Sequence, residues 1–349
     1  MRFFVNNIDL DMAEVQENKG CQWTILGLLG FCFIAVTMAQ IFYPANTTSK
    51  APVSVLPLAK SKQVAKAGID ALEGRKDKFG DGRLSSSDLN SQFDKIGYQL
   101  DPVLKGENTV PRVFISALPY DLAMIKQTDE RKSLFFRTLL PLVLKINEEI
   151  ITNRAKVWRL RHRLTMGLAL RGEDRIWLNA AFSRYRVADQ NFDLLLERMD
   201  VVPASLALAQ AAEESGWGTS RFAREGNALF GQWTFDPKDK GIVPSGRAEG
   251  KTHRIKAFDD LKGSLKAYVR NLNSHKAYQK LRVLRRQMRD NREALNGHKL
   301  ATALDKYSER GLDYVTGIQA IIDKNNLKQF DNVTLEEAEA SATLNSPLI

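Results

Sequence analysis

Apolar residues recur at three- and four-residue spacing through most of the second half of the chain, the pattern of helices that each bury one face. From Leu134 the run LFFRTLLPLVLKINEEIITNRAKVWRLRHRL keeps this period and is interrupted only by Pro141. A second helix is expected around IWLNAAFSRYRV. A third follows in VVPASLALAQAAEESGWG, with Pro203 at its start and glycines ending it. Its middle, SLALAQAA, is apolar or small almost all round, which marks a helix enclosed by a core. Residues 230–258 change to short segments broken by Gly and Pro (FGQWTF, GIVPSGRAEG, KTHRIKAF), as in a β-hairpin or small irregular lobe. Helical periodicity then returns through LKGSLKAYVRNLNSHKAYQKLRVLRRQMR and LATALDKYSERGLDYVTGIQAIIDKNNL. The expected fold class is therefore mainly α (α+β), a helical domain with a small β-hairpin lobe, ending in a flexible polar tail over residues 331–349.

The front of the chain reads differently. Residues 23–43 (WTILGLLGFCFIAVTMAQIFY) are 21 in number and uncharged, matching the roughly 20 needed to span a bilayer as a helix. The expectation is an uncleaved transmembrane anchor after a cytoplasmic segment, residues 1–22. A cleaved signal peptide is the rival, but the polar, acidic lead-in (Asp9, Asp11, Glu14, Glu17) disfavours it. Lysines 50, 60, 62 and 66 follow the span rather than precede it, against the usual positive-inside bias. Residues 44–110 are assigned to a linker or stalk: 44–66 are rich in Pro, Ser, Thr and Lys, and KFGDGRLSSSD resembles a calcium loop but lacks its alternating acids, so a turn is expected.

A net charge of +10 points to an anionic partner. No nucleic-acid motif accompanies it, so no nucleic-acid partner is expected. The basic stretch QKLRVLRRQMRDNR reads equally as a solvated helix face or an anion-binding surface. Both cysteines, Cys21 and Cys32, lie in or beside the apolar segment, which excludes a thiol nucleophile or a Cys-based zinc site after residue 43. The four histidines form no close-spaced ligand set. No metal and no cofactor are expected.

The segment from Ala209 to Gly218 (AQAAEESGWG) carries the chemistry. It places Glu214 in the last turn of a buried, Ala-rich helix, where low dielectric and the negative helix C-terminus both disfavour ionisation. A carboxyl kept protonated near neutrality is what a general acid requires. The glycines would let a polymer approach closely, and Trp217 offers a flat face for a sugar ring. The competing reading is an ordinary helix C-cap with exposed glutamates.

AQAAEESGWGTSRFAREGNALFGQW resembles the signature of the bacterial N-acetylglucosaminidase family of flagellar-rod and autolysin enzymes, with Asn227, Leu229, Phe230 and Gly231 supplying its N-x-(L/F)-F-G turn. FDDLKGSLKAYVRNL and LDKYSERGLDYV are similar to later blocks of that family, in the same order. RKSLFFRTLLPLVLKINEEI, VPASLALAQ and NLNSHKAY are similar to its Bax protein subgroup. The resemblance implies a lysozyme-like catalytic domain over residues 200–330, with 111–199 a helical accessory region. It implies Glu214 as catalytic acid, with Glu213 non-catalytic, and Tyr307 as the tyrosine orienting the reacting N-acetyl group. Glu249 is the match for the second carboxylate, with Asp236 and Asp239 as fallbacks. Trp217, Asn227, Phe230, Gly231 and Trp233 are the substrate-binding candidates; for each aromatic, core packing competes.

The implied activity is endo-β-N-acetylglucosaminidase, hydrolysing β-1,4 bonds of peptidoglycan glycan strands. A lytic transglycosylase, or a wall-binding protein without activity, remains as an alternative. The expected location is the inner membrane, single-pass through residues 23–43, with the catalytic domain in the periplasm; secretion after signal cleavage is the alternative. Protein partners are unknown from the sequence.

Overall fold

The computed structural model describes residues 84–247, 250 and 252–337. The expected anchor at 23–43, the tether at 44–66, Glu249 and the last twelve residues lie outside them. No helix among the described residues is long and apolar enough to cross a membrane.

Two short helices come first, α1 (Ser86–Lys95) and α2 (Leu100–Leu104). The Ser85 side chain accepts from the Asp88 amide and starts α1 as an N-cap. Leu89 and Phe93 of α1, with Tyr98 beyond it, are buried in the main core. Residues 84–110 are thus not a stalk. Their few apolar positions are close enough to cover α3, which a reading by composition overlooked.

Helix α3 (Thr128–Thr165) runs through Pro141 without ending. The proline forfeits one backbone hydrogen bond, but it lies in the half of α3 that is held by burial, with Leu134, Phe135, Leu139, Leu140, Leu142, Val143 and Ile146. Helices α4 (Gly172–Arg184) and α5 (Phe192–Arg198) follow. Lys156 ties α3 to α4, pairing with Asp174 at 2.9 Å and lying over the Trp177 ring. Helix α6 (Ala204–Ser215) then enters the centre. Its residues from Ala204 to Ala212 are all buried, and it packs against α3, α10 (Gly297–Ala301), α11 (Leu312–Lys324) and the terminal 3-10 turn Leu327–Asn332. A run of small side chains allows this approach from every side. Helix α3 packs directly on α6, so residues 111–199 and 200–330 share one core.

Beyond α6 lie α7 (Arg221–Gly226) and a small sheet of β1 (Trp233–Thr234), β2 (Gly241–Ile242) and β3 (Arg254–Lys256). The order is β1-β3-β2, antiparallel throughout. The lobe is thus a three-stranded sheet with its last strand in the middle, where a hairpin was expected. Helices α8 (Leu261–Ser274) and α9 (Gln279–Asp290) return to the body. The described part of the polar tail is docked: Val110 and Leu335 form a β-bridge, and the Arg112 guanidinium donates to the Glu336 carbonyl at 2.6 Å.

The basic helix α9 is a solvated face only in part: Arg286 and Arg289 are exposed, whereas Arg282 and Arg285 point into the body. Arg285 is 1% exposed and donates to the carbonyls of Val201 (2.9 Å) and Glu197 (3.0 Å) and to Asn273 Oδ1 (2.8 Å). Arg282, also buried, donates to the carbonyls of Leu272 and His275. Arg286 pairs with Glu197 at 2.8 Å. Arg289 pairs at 3.0 Å with Asp200, which is buried within reach of Arg154 and Arg285 as well. Burial depresses Arg285 to about 10. Burial also pushes the Asp200 carboxyl upward, but Arg285, Arg289 and Arg154 together outweigh that and hold it below its ordinary value.

Breaking this cluster from its acidic side leaves buried arginines without their counter-charge. Asp200→Asn is expected to cost about 3–5 kcal/mol, read from urea unfolding at neutral pH. Since the folded carboxyl titrates below its unfolded value of about 3.9, its stabilisation is complete above that pH and is lost as pH falls through the folded value. The gap between wild type and variant should therefore narrow below about pH 4.

Candidate active site

Helix α6 ends at Ser215, and Gly216 follows in the left-handed region at φ 56°. Trp217 (φ 60°) and Gly218 (φ 77°) continue the left-handed turn. The Ser215 hydroxyl donates to the Ala211 carbonyl at 2.5 Å and accepts from the Gly218 amide at 2.8 Å. The helix end is thereby locked from inside. A Cβ on Gly218 would lie 2.7 Å from Leu118 Cδ1 and 2.9 Å from Leu122 Cδ2. Gly218 is therefore present for packing and backbone conformation, while Gly216 is exposed.

The last turn sends its two glutamates apart, as adjacent helical positions must diverge by about 100°. Glu213 pairs with Arg310 at 2.5 Å near the surface. Glu214 is half-buried, and its Oε1 accepts from the Tyr314 hydroxyl at 2.8 Å. Burial lifts the Glu214 carboxyl above its ordinary value, and the Glu213 charge adds to this. The Tyr314 hydrogen bond and Arg310 pull the other way without cancelling it. The carboxyl is thus biased toward its protonated form and keeps one oxygen engaged.

Tyr314 belongs to a connected set. Gln210, fully buried one turn before Glu214, donates through Nε2 to the Tyr314 oxygen at 2.8 Å. Its Oε1 accepts from the Tyr268 hydroxyl at 2.7 Å. The ring of Tyr307 stacks on that of Tyr314, centroids 5.3 Å apart and planes 9° apart, and Tyr278 lies beside Tyr307 at 5.7 Å. Half-buried Tyr307 is close enough for the Glu214 charge, after burial, to push its hydroxyl pKa upward. The tyrosine whose hydroxyl meets Glu214 is Tyr314, and Tyr307, the residue matched to the tyrosine that orients the N-acetyl group, stacks beside it. Both stand in LDKYSERGLDYV, but the turn before α11 aims the later one at the carboxylate. Gln210 was visible as the polar residue in the middle of the buried helix, at the i−4 position that shares a face with Glu214.

The remaining candidates separate into internal and open ones. Trp217 lies edge-on to Phe135 (6.0 Å) and Phe136 (5.4 Å), with the Lys132 ammonium 4.9 Å from its centroid. It joins α3 to the end of α6. Phe230 is buried and stacks on Tyr268 at 3.9 Å, so it supports the tyrosine set from behind. Asn227, left-handed at φ 50°, donates to the carbonyls of Phe258 (3.2 Å) and Asp259 (3.3 Å). It closes the sheet lobe onto the body. Gly231 (φ 57°) has nothing within 4 Å of where a Cβ would stand. Trp233 is 62% exposed and stacks on His253 at 4.3 Å, with Phe235, 67% exposed, beside it at 6.4 Å. This open aromatic group contains two members that the sequence reading did not single out. Of the fallback carboxylates, Asp239 is engaged by Lys256 (2.8 Å) and the Thr234 hydroxyl (2.6 Å) and held below its ordinary value by them. Asp236 Oδ1 accepts from the Lys238 amide at 2.9 Å.

The packing around the two glycines separates their roles. Gly218→Ala combines overpacking with a left-handed alanine and is expected to cost about 2–5 kcal/mol. Gly231→Ala meets open space and should cost only the left-handed term, about 1–2 kcal/mol. Chemical denaturation of the two variants checks the order; equal losses would contradict the packing role of Gly218.

The glucosaminidase family model, described as mannosyl-glycoprotein endo-beta-N-acetylglucosaminidase, matches residues 190–327. Protein bax of Escherichia coli (strain K12) is 32% identical over 216 residues, covering 60% of this chain and 75% of that protein. A crystal structure of the catalytic domain of the autolysin Auto from Listeria monocytogenes aligns at 20% identity with a TM-score of 0.30, covering 50% of this chain and 96% of that one. With the acid-bearing helix end, the tyrosine set and the sheet lobe all inside the matched region, the chain belongs to the glucosaminidase family and is a glycosidase.

Proposed function

We propose that the protein is an endo-β-N-acetylglucosaminidase of peptidoglycan, with Glu214 as its general acid. The observation that carries this reading is a half-buried carboxyl, raised above its ordinary value, with one oxygen held by Tyr314. Such a group keeps its proton to higher pH than an ordinary carboxyl and can deliver it to the glycosidic oxygen as the bond to the anomeric carbon breaks. The β-1,4 bond cleaved would be the one following N-acetylglucosamine, leaving that sugar at the new reducing end. The anomeric carbon would be met by the substrate's own N-acetyl oxygen or by a water activated by a second carboxylate, for which Glu249 is our assignment.

A peptidoglycan substrate goes with the family to which the chain belongs and with its net charge of +10, part of which is internal, since wall peptides carry carboxylates. Trp233 and Phe235 would supply sugar-stacking surface. A substrate outside the cytoplasm goes with a catalytic part held there by an anchor at residues 23–43 in the inner membrane.

The test is digestion of purified sacculi by the wild type and by two single variants, with products identified by mass spectrometry. The wild type should release fragments ending in reducing N-acetylglucosamine; anhydro ends would assign a lytic transglycosylase instead. Glu214→Gln should lose about 10²–10⁴-fold in rate, while Glu213→Gln stays within a few-fold. Equal losses would remove Glu214 from the acid role. The protonated carboxyl is the working form, so the rate should fall as pH rises through the Glu214 pKa, giving an alkaline limb that begins above the ordinary carboxylate range.

A further inference from the structure

Glu214 has two oxygens, and only one can carry the proton that is transferred. The four-residue hydrogen-bond chain behind it selects which. Tyr268, completely buried, donates to Gln210 Oε1 at 2.7 Å; Gln210 Nε2 donates to the Tyr314 oxygen at 2.8 Å; Tyr314 donates to Glu214 Oε1 at 2.8 Å. Each link points the same way, toward the carboxylate.

We infer that Gln210 is a positioning residue that fixes the direction of the Tyr314 hydroxyl, so that Glu214 Oε1 always accepts and Oε2 carries the transferable proton. The inference rests on the reading of Glu214 as the acid. An amide NH₂ can only donate, so the Tyr314 hydrogen cannot turn toward Gln210 and is left facing Glu214. Rotating the amide by half a turn fails twice. It presents an N–H to the Tyr268 hydroxyl and leaves that buried hydrogen without its acceptor. It also offers Oε1 to Tyr314, drawing the hydrogen away from a carboxylate that, when ionised, can only accept. The amide is thus oriented from both ends. The Tyr314 ring is held in plane by the stacked Tyr307, so the hydroxyl has little freedom left.

The charged and titratable groups around Glu214 are Glu213 and Arg310, paired with each other, and Tyr268, Tyr278, Tyr307 and Tyr314. Among these, the Tyr314 hydrogen bond stabilises the ionised form through direct contact. Loosening it favours the protonated carboxyl and moves its titration upward.

The experiment uses the full chain and two readouts: titration of the Glu214 carboxyl by isotope-edited infrared or NMR spectroscopy, and the pH profile of kcat on sacculi. Gln210→Met keeps the side-chain length and removes both hydrogen bonds. It should move the Glu214 titration and the alkaline limb upward together and reduce kcat about tenfold, because the Tyr314 hydrogen bond to the charged carboxylate is weakened. Tyr314→Phe should do the same. The double variant should move no farther than Tyr314→Phe alone, because Gln210 acts through Tyr314. Should Gln210→Met not fold, Tyr268→Phe frees the amide from its far end and should shift the titration in the same direction. An unmoved titration in the variant measured, or shifts that add in the double variant, overturns the inference. Failure of the functional reading looks different: Glu214→Gln would keep its activity while the titrations still followed the relay.

Discussion

A helix enclosed on every side must leave no polar atom unpaired, and α6 shows how far that constraint reaches. Its alanines let α3, α10 and α11 approach closely, and Gly297 of α10 sits where any Cβ would collide with Ser205. Each polar side chain among the buried residues then has a defined partner. Ser205 donates to Asp331 at 2.8 Å, Gln210 bridges two tyrosines, and Ser215 ties its own helix to the following turn. Leaving any of these groups unmatched would cost on the order of 1–3 kcal/mol. The functional consequence is that Glu214 leaves the core at a point where the backbone before and after it is already fixed. A carboxyl placed this way needs little reorganisation when its proton moves.

The same economy of partners governs the arginines at the other end of α6. Asp200 lies just before the helix, and the guanidinium groups gathered on it arrive from α3 and α9. Ion clusters of this kind stabilise less than apolar packing of the same volume, because desolvation offsets most of the attraction. Their effect is on register. Arg285 also donates to backbone carbonyls at Glu197 and Val201, so α9 can dock on the chain preceding α6 in only one position. Excess positive charge in the sequence therefore does not translate directly into a binding surface; part of it is internal scaffolding.

Much of this was legible in advance, and the misses share a cause. The buried helix, its proline start and glycine end, and the divergence of Glu213 from Glu214 all follow from local periodicity and capping, which a linear reading can use. Pairwise choices between distant segments were not legible. Nothing local says that the Tyr314 hydroxyl bonds Glu214, since Tyr314 is placed by α11, which starts after Gly311 at φ 56°. Nor does composition say that Leu89 and Phe93 cover α3, or that Arg282 and Arg285 point inward. Residue type was visible, but the direction of each side chain depended on packing between elements far apart in sequence.

The motif around the acid shows why this matters for reading function. Its glycines and tryptophan invite a substrate-facing interpretation, yet Gly218 and Trp217 are occupied by Leu118, Leu122, Phe135 and Phe136. They make the helix end where it does. The open aromatic surface lies elsewhere, on the three-stranded sheet, and strand geometry explains it. In β1 the side chains alternate, Trp233 outward and Thr234 inward. Antiparallel pairing sets Trp233 opposite Ile255 and Thr234 opposite Arg254, bringing His253 beneath the exposed indole. Glu214 and the aromatic surface thus come from unrelated physics, one from the capping of a buried helix and the other from the two-residue alternation of a strand. The Asn227 turn joins them, with its side chain bonded to the Phe258 and Asp259 carbonyls that lead back into α8. The sheet lobe is accordingly tied to the body by the Asn227 side chain on two backbone carbonyls rather than by Glu214 or by the exposed aromatics.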